Sequence, residues 1–136
     1  MKAMGLDFGL KRIGIAFSDE LKFLATPFVT YKRVEDNKDI DYFLELIKSK
    51  NVDEIICGLP LNMQGEEQEI ALLTRAFMTK IENLTNIKVK YVDERLSSVM
   101  AEDILKQREK DWKKRKEMLD SMSASIILQD YLDSKK

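Results

Sequence analysis

Met4 and Leu6 alternate with Gly5 and Asp7, and Ile13, Ile15 and Phe17 alternate again with Gly14 and Ala16. A period of two is that of a β-strand, and Gly9 between the runs can take the positive φ of a tight turn. The stretch is therefore predicted as a hairpin whose first strand ends on Asp7. Phe23 to Tyr31 reads as a third strand, with Pro27 marking an edge position. From about Asn37 the period lengthens: Ile40, Phe43, Leu44 and Ile47 share one face of an amphipathic helix, with Asp36 or Asn37 as its cap. Glu54 to Leu59 is a near-continuous apolar run, as in a strand covered on both faces, and Pro60 to Gly65 is a loop. Ile70, Leu73, Phe77, Ile81 and Leu84 predict the inward side of a long helix. Ile87 to Val92 predicts another strand, running directly into Asp93-Glu94-Arg95. Ser97 or Ser98 would cap a helix to about Lys106, and a last helix from about Arg115 to Leu132 would turn Leu119, Met122, Ile126 and the Ile127-Leu128 pair inward. A three-stranded meander followed by helix, strand, helix, strand and two helices is α/β with a mixed sheet. In such sheets sites gather at the carboxyl ends of parallel strands, and Asp7, Glu94 and the Asn62 loop are all placed at strand ends.

Composition narrows the chemistry. The 136 residues, 44% apolar and 35% charged, suit one soluble domain spanning 1–136. No apolar run reaches membrane-spanning length and no signal-peptide pattern opens the chain, so the cytoplasm is the expected location, without membrane contact. Cys57 is the single cysteine and sits in an apolar run, which leaves no disulfide framework and no cysteine zinc site. Histidine is absent, which excludes Ser-His-Asp and Cys-His catalysis and the ordinary zinc centres. A metal would have to be held by oxygen, which favours Mg²⁺ or Mn²⁺.

The net charge of −1 lacks the overall basic signature of many nucleic-acid binders, but charge is concentrated locally. Between Lys106 and Lys116 seven cations face two acids, with the single Trp112 among them. This run, a loop or frayed helix, is either a solvated face or a track that holds phosphates through Lys113, Lys114 and Arg115 while Trp112 stacks on a base.

Asp7 is the centre of the candidate chemistry. Gly5 and Gly9 remove side-chain bulk beside it, which would let a phosphate or metal approach the backbone, and Asp7 is taken as the first ligand of a divalent-metal site. A turn-forming aspartate is the alternative. Asp-Phe-Gly lacks the other loops of a kinase, and Ile15 stands where a phosphate-binding loop needs its lysine.

Three stretches together carry a resemblance. They are Gly5-Leu6-Asp7-Phe8-Gly9-Leu10-Lys11-Arg12-Ile13-Gly14, Gly58-Leu59-Pro60-Leu61-Asn62-Met63-Gln64-Gly65 and Tyr91-Val92-Asp93-Glu94-Arg95-Leu96-Ser97-Ser98. With the tail from Asp120 to Leu132, the chain resembles the YqgF/RuvX family in order over nearly its full length. The resemblance implies an RNase H-like (RuvC-like) α/β fold, a mixed five-stranded sheet flanked by helices. It implies a nuclease trimming the 5′ end of pre-16S rRNA, or a Holliday-junction resolvase. By the family pattern Asp7, Glu94 and Asp120 are the catalytic, metal-holding carboxylates of a two-metal Mg²⁺ or Mn²⁺ site. RuvC-like sites often carry a second acid one turn along the last helix, where this chain has Ser123. Gly9, Lys11, Arg12, Asn62, Gly65 and Arg95 join Trp112 and its neighbouring cations as substrate contacts. The implied partners are RNA (pre-rRNA) or branched DNA, a second copy if two sites face one junction, and ribosome-assembly components. A non-catalytic nucleic-acid-binding module is the alternative outside enzymes. An ATPase of the actin/Hsp70 type shares the hairpin but needs two such domains, for which the chain is too short.

Overall fold

In the computed structural model the first period-two stretch forms two antiparallel strands, β1 (Lys2–Phe8) and β2 (Arg12–Ser18). The structure describes residues 1–93, 97–108 and 110–135. The remaining elements are β3 (Ala25–Lys32), α1 (Asp36–Ser49), β4 (Val52–Leu59), α2 (Glu69–Thr85), β5 (Val89–Asp93), α3 (Ser97–Arg108) and α4 (Trp112–Ser134). The sheet has five strands in the order β3-β2-β1-β4-β5. β4 lies parallel to β1 and β5 parallel to β4, whereas the meander pairs are antiparallel. β3 is indeed at an edge, and its pairing with β2 shifts between Ile15 and Ala16, where Pro27 enters.

Alternation along the strands builds two cores. Met4, Leu6, Phe8, Ile13, Ile15, Phe17, Ile55 and the free Cys57 face one way, against Ile40, Phe43 and Ile47 of α1 and Phe77, Met78 and Ile81 of α2. Ala3, Ala16 and Ile56 face the other way, against Ala124, Ile127, Leu128, Tyr131 and Leu132 of α4. α3 packs on α4 and buries Ala101 and Leu105.

Several expectations change. The residue preceding α1 in the cap position is Glu35, with no side-chain cap bond, rather than Asp36 or Asn37. These two fall inside the helix, where Asp36 joins Asp39 as a first-turn acid favoured by the helix dipole. On α2, Leu73 and Leu84 are 42% and 61% exposed, because the buried stripe runs through Ala71, Thr74, Phe77, Met78 and Ile81. The last helix starts three residues before Arg115, at Trp112, because the Asp111 side chain accepts from the Lys113 amide and caps it. On its far part Ile127 and Leu128 are buried, but Leu119, Met122 and Ile126 are only half-buried. The face toward the sheet is carried by Ala124, Ile127, Leu128, Tyr131 and Leu132, while Ser121, Ser123 and Ser125 are also buried.

Candidate active site

Asp7 is half-buried at the carboxyl end of β1, paired across the sheet with Gly14 of β2 and Gly58 of β4. Period two puts it on the same sheet face as Ala3 and Gly5, the face covered by α4. α4 lies so close there that a Cβ on Gly5 would stand 2.6 Å from Cβ of Leu128 and 2.9 Å from the Ala124 carbonyl oxygen. A Cβ on Gly14 would fall on the backbone carbonyl of Asp120. The glycine at 5 therefore admits a helix rather than a phosphate or metal, which corrects the expectation from sequence. Gly9 differs too: it does not use the left-handed region, and a Cβ there would stand 2.6 Å from the Arg12 carbonyl oxygen, which closes the turn over it.

Because Gly14 is the cross-strand partner of Asp7 and lies under Asp120, the fold brings these two acids to one face at one end of the sheet. Asp120 is half-buried and its Oδ2 accepts from Nε of Arg12 at 2.9 Å. Ser123, one turn further on α4, is wholly buried, and its Oγ has no hydrogen-bond partner. Among the described residues no three acids or cysteines are grouped tightly enough to hold a metal ion. Glu94 and Arg95, expected as metal ligand and substrate contact, lie outside the described residues. β5, which leads into Glu94, ends at Asp93 beside Leu59, at the same end of the sheet as Asp7. Asp7 and Asp120, in a chain without histidine, offer oxygen donors of the kind that suit a hard divalent cation.

The loop after β4 opens at this end as well. Asn62 Oδ1 accepts from the amides of Gln64 and Glu66, its Nδ2 donates to Glu66, and its carbonyl accepts from the Gly65 amide. Gly65 supplies the left-handed φ of 80°. The structure thus gives both residues, expected as substrate contacts, a part in closing the loop.

Cations rim the site. Lys11 is exposed at the hairpin tip, and Lys32 is exposed at the end of β3, opposite Arg12. With Arg33 they line an open cavity of about 480 Å³. Lys113 and Lys114 are exposed and Arg115 half-buried on the first turns of α4, where Arg115 donates to the Lys110 carbonyl at 3.0 Å. Thr30 holds this part of α4 to β3 through the Glu117 carbonyl. The side chain of Trp112, expected to stack on a base, lies outside what is described.

One supporting residue was missed from sequence. Arg33 donates to buried Asp39 at 2.9 Å, to Asp36 at 2.7 Å and to the Gly9 carbonyl at 3.4 Å, and lies over the rings of Phe8 and Phe77. It thereby ties the turn after Asp7 to α1. Burial pushes the Asp39 carboxyl up, but the Val34 amide, the Tyr31 hydroxyl and Arg33 outweigh it and hold it below the usual carboxylate range. Burial, and the bond to Asp39, push the Tyr31 phenol up to about 12. The signal available was the Tyr31-x-Arg33 pair followed by Asp36 and Asp39 at helical spacing.

Comparison with known proteins agrees with this architecture. The RuvX family, described as Holliday junction resolvase, matches residues 1–134. A protein of Endomicrobium trichonymphae named "Putative pre-16S rRNA nuclease" is 46% identical over 133 residues, covering 97% of this chain and 95% of its own. A protein of the same name from Syntrophomonas wolfei is 44% identical over 133 residues, covering 98% and 94%. Among solved structures, RuvC of T. thermophilus in complex with Holliday junction substrate superimposes with a TM-score of 0.64 at 13% identity, covering 99% of this chain and 96% of that one. The fowlpox virus resolvase bound to Holliday junction DNA gives 0.62 at 13% identity, covering 99% of each. These two likenesses are of fold.

Proposed function

Because the chain belongs to the RuvX (YqgF) family, we propose that it is a divalent-metal-dependent endonuclease that hydrolyses phosphodiester bonds in structured nucleic acid, with the 5′ end of pre-16S rRNA as its substrate. The observation that carries this reading is the meeting of Asp7 and Asp120 across Gly14, on one sheet face at the carboxyl end of β1. Asp7, on an interior strand, is the most rigidly held of the proposed ligands; Asp120 comes from the facing helix, and Glu94 is the third acid by the family pattern. When bound, Mg²⁺ or Mn²⁺ ions supply Lewis acidity for the attacking water and neutralise charge growing on the phosphate.

The chain's own residues do the rest. Asp7 and Asp120 present oxygen ligands from two elements locked together at Gly14, so their separation is fixed before substrate arrives. Lys11, Lys32, Lys113 and Lys114 keep exposed ammonium groups at the same end, suited to a sugar-phosphate backbone passing the site. The family's description, Holliday junction resolvase, supports a second substrate, a four-way DNA junction cut by a pair of copies.

The test is purified protein with Mg²⁺ or Mn²⁺, offered a pre-16S 5′ fragment and a four-way DNA junction side by side, in wild type and Asp7→Asn. Cutting of the RNA is expected, with loss of several orders of magnitude in the variant. The variant should melt no earlier than wild type, because removing one of two neighbouring carboxylate charges relieves their repulsion in the metal-free fold. A variant that melts early yet cuts normally would make Asp7 a turn-former and end the catalytic reading of this stretch, whereas wild-type protein that cuts neither substrate would end the nuclease reading.

A further inference from the structure

Arg12 is the first residue of β2, and period two turns it to the sheet face that carries Gly14 and Asp7. Its side chain reaches across to α4, where Nε donates to Asp120 at 2.9 Å. Among the described residues, only that edge of the guanidinium is engaged. The side chain is 52% exposed, and no acceptor among the described residues meets its two terminal amino groups. Asp120, 25% exposed, has no other cation among the described residues. A fixed positive charge thus stands where the acids would bind a cation.

Two physical facts follow from this geometry. An ion pair this exposed contributes only about 0–1 kcal/mol, so a divalent ion bonding directly to the carboxylate can displace it. A guanidinium set free keeps a rigid fork of donors that matches two phosphate oxygens.

Resting on the nuclease reading above, the geometry points to Arg12 as an exchangeable counter-ion. It neutralises Asp120 in the metal-free protein and passes to a substrate phosphate when a divalent ion takes Asp120. The exchange couples the two ligands. Metal frees the arginine for phosphate, and a phosphate that draws the arginine away uncovers Asp120 for metal, so each raises the other's affinity.

The exchange is read by Mn²⁺ binding, followed by calorimetry without nucleic acid, in wild type, Arg12→Gln, Arg12→Lys and Lys11→Gln. Arg12→Gln is expected to bind Mn²⁺ roughly fivefold more tightly, the scale set by releasing an exposed pair. Lys11→Gln removes the same charge from a neighbour that has no acid partner among the described residues, and should change affinity by less than about twofold. Arg12→Lys keeps the charge but not the fork, and should stay near wild type. A second measurement follows binding of a non-cleavable 2′-O-methyl RNA stem-loop in Ca²⁺ and in EDTA. Ca²⁺ should strengthen binding to wild type, and distinctly less to both Arg12 variants. Mn²⁺ affinity that is unchanged or weaker in Arg12→Gln, or raised equally in Lys11→Gln, would overturn the exchange. Failure of the underlying nuclease reading looks different: Mn²⁺ binding would then be indifferent to Asp7→Asn as well.

Discussion

At Gly14 one methyl group decides whether the helix bearing Asp120 can lie where it does. A Cβ there would meet backbone, which cannot swing aside as a side chain can. Gly14→Ala is therefore expected to cost about 3 kcal/mol or more, measured by urea unfolding, and to lower Mn²⁺ affinity by moving Asp120 away from Asp7. A variant of wild-type stability would show that α4 is free to lift. The glycines also show the limit of what a sequence tells at this scale. Alternation through Met4, Leu6, Ile13 and Ile15 located the hairpin and put Asp7 at its strand end. The empty space at Gly5 was legible as well, but not what fills it, because the filler, Ala124 and Leu128, lies far along the chain. Asn62 meets the same limit: its donors and acceptors can serve a turn or a ligand, and the fold adds the part they play in the turn.

On the scale of one element, α4 begins against its own electrostatics. No acid occupies its first turn, where Lys113, Lys114 and Arg115 meet the positive end of the helix dipole. Charges placed where they weaken the helix argue for a partner of opposite sign. Replacing Lys113, Lys114 and Arg115 with Ala should leave stability equal or raise it by a few tenths of a kcal/mol. Nucleic-acid binding should weaken, and the slope of log affinity against log salt should shrink by about 0.7–0.9 for each phosphate no longer neutralised. An unchanged slope would make the run a solvated face. The start of α4 was hidden in the sequence because its cap, Asp111, sits inside a run of charges that reads as a loop. Its packing face was misjudged because the largest side chains, Leu119, Met122 and Ile126, were taken as the inward ones. The close approach over Gly5 is made by Ala124 and Leu128 instead. The small strands and α1, whose period is carried by large residues alone, were legible.

Taken as a whole, the molecule pairs acids with cations at both ends of its sheet. Away from Asp7, near the start of β4, Glu54 accepts from Lys22, Lys90 and the Tyr131 hydroxyl, pinning the tail of α4 to the sheet. Burial pushes the Glu54 carboxyl up, but Lys22 first, then Lys90 and Tyr131, reverse this and bring it down to about 2 from an ordinary 4.5. A carboxyl depressed on folding contributes its stability in full above the ordinary value, and loses it as pH falls toward 2. In urea unfolding from pH 7 to pH 2, wild type should lose on the order of 2 kcal/mol more than Glu54→Gln across that window. Parallel curves would remove Glu54 from the account. The Arg12–Asp120 pair, by contrast, closes 108 residues of chain. Contacts of that span form late, since loop closure must be met before they give anything back. Asp120 stands on the last element of the chain, so the proposed cutting centre is incomplete until α4 has docked on the sheet. A nuclease built in this way would be inert until folding is complete.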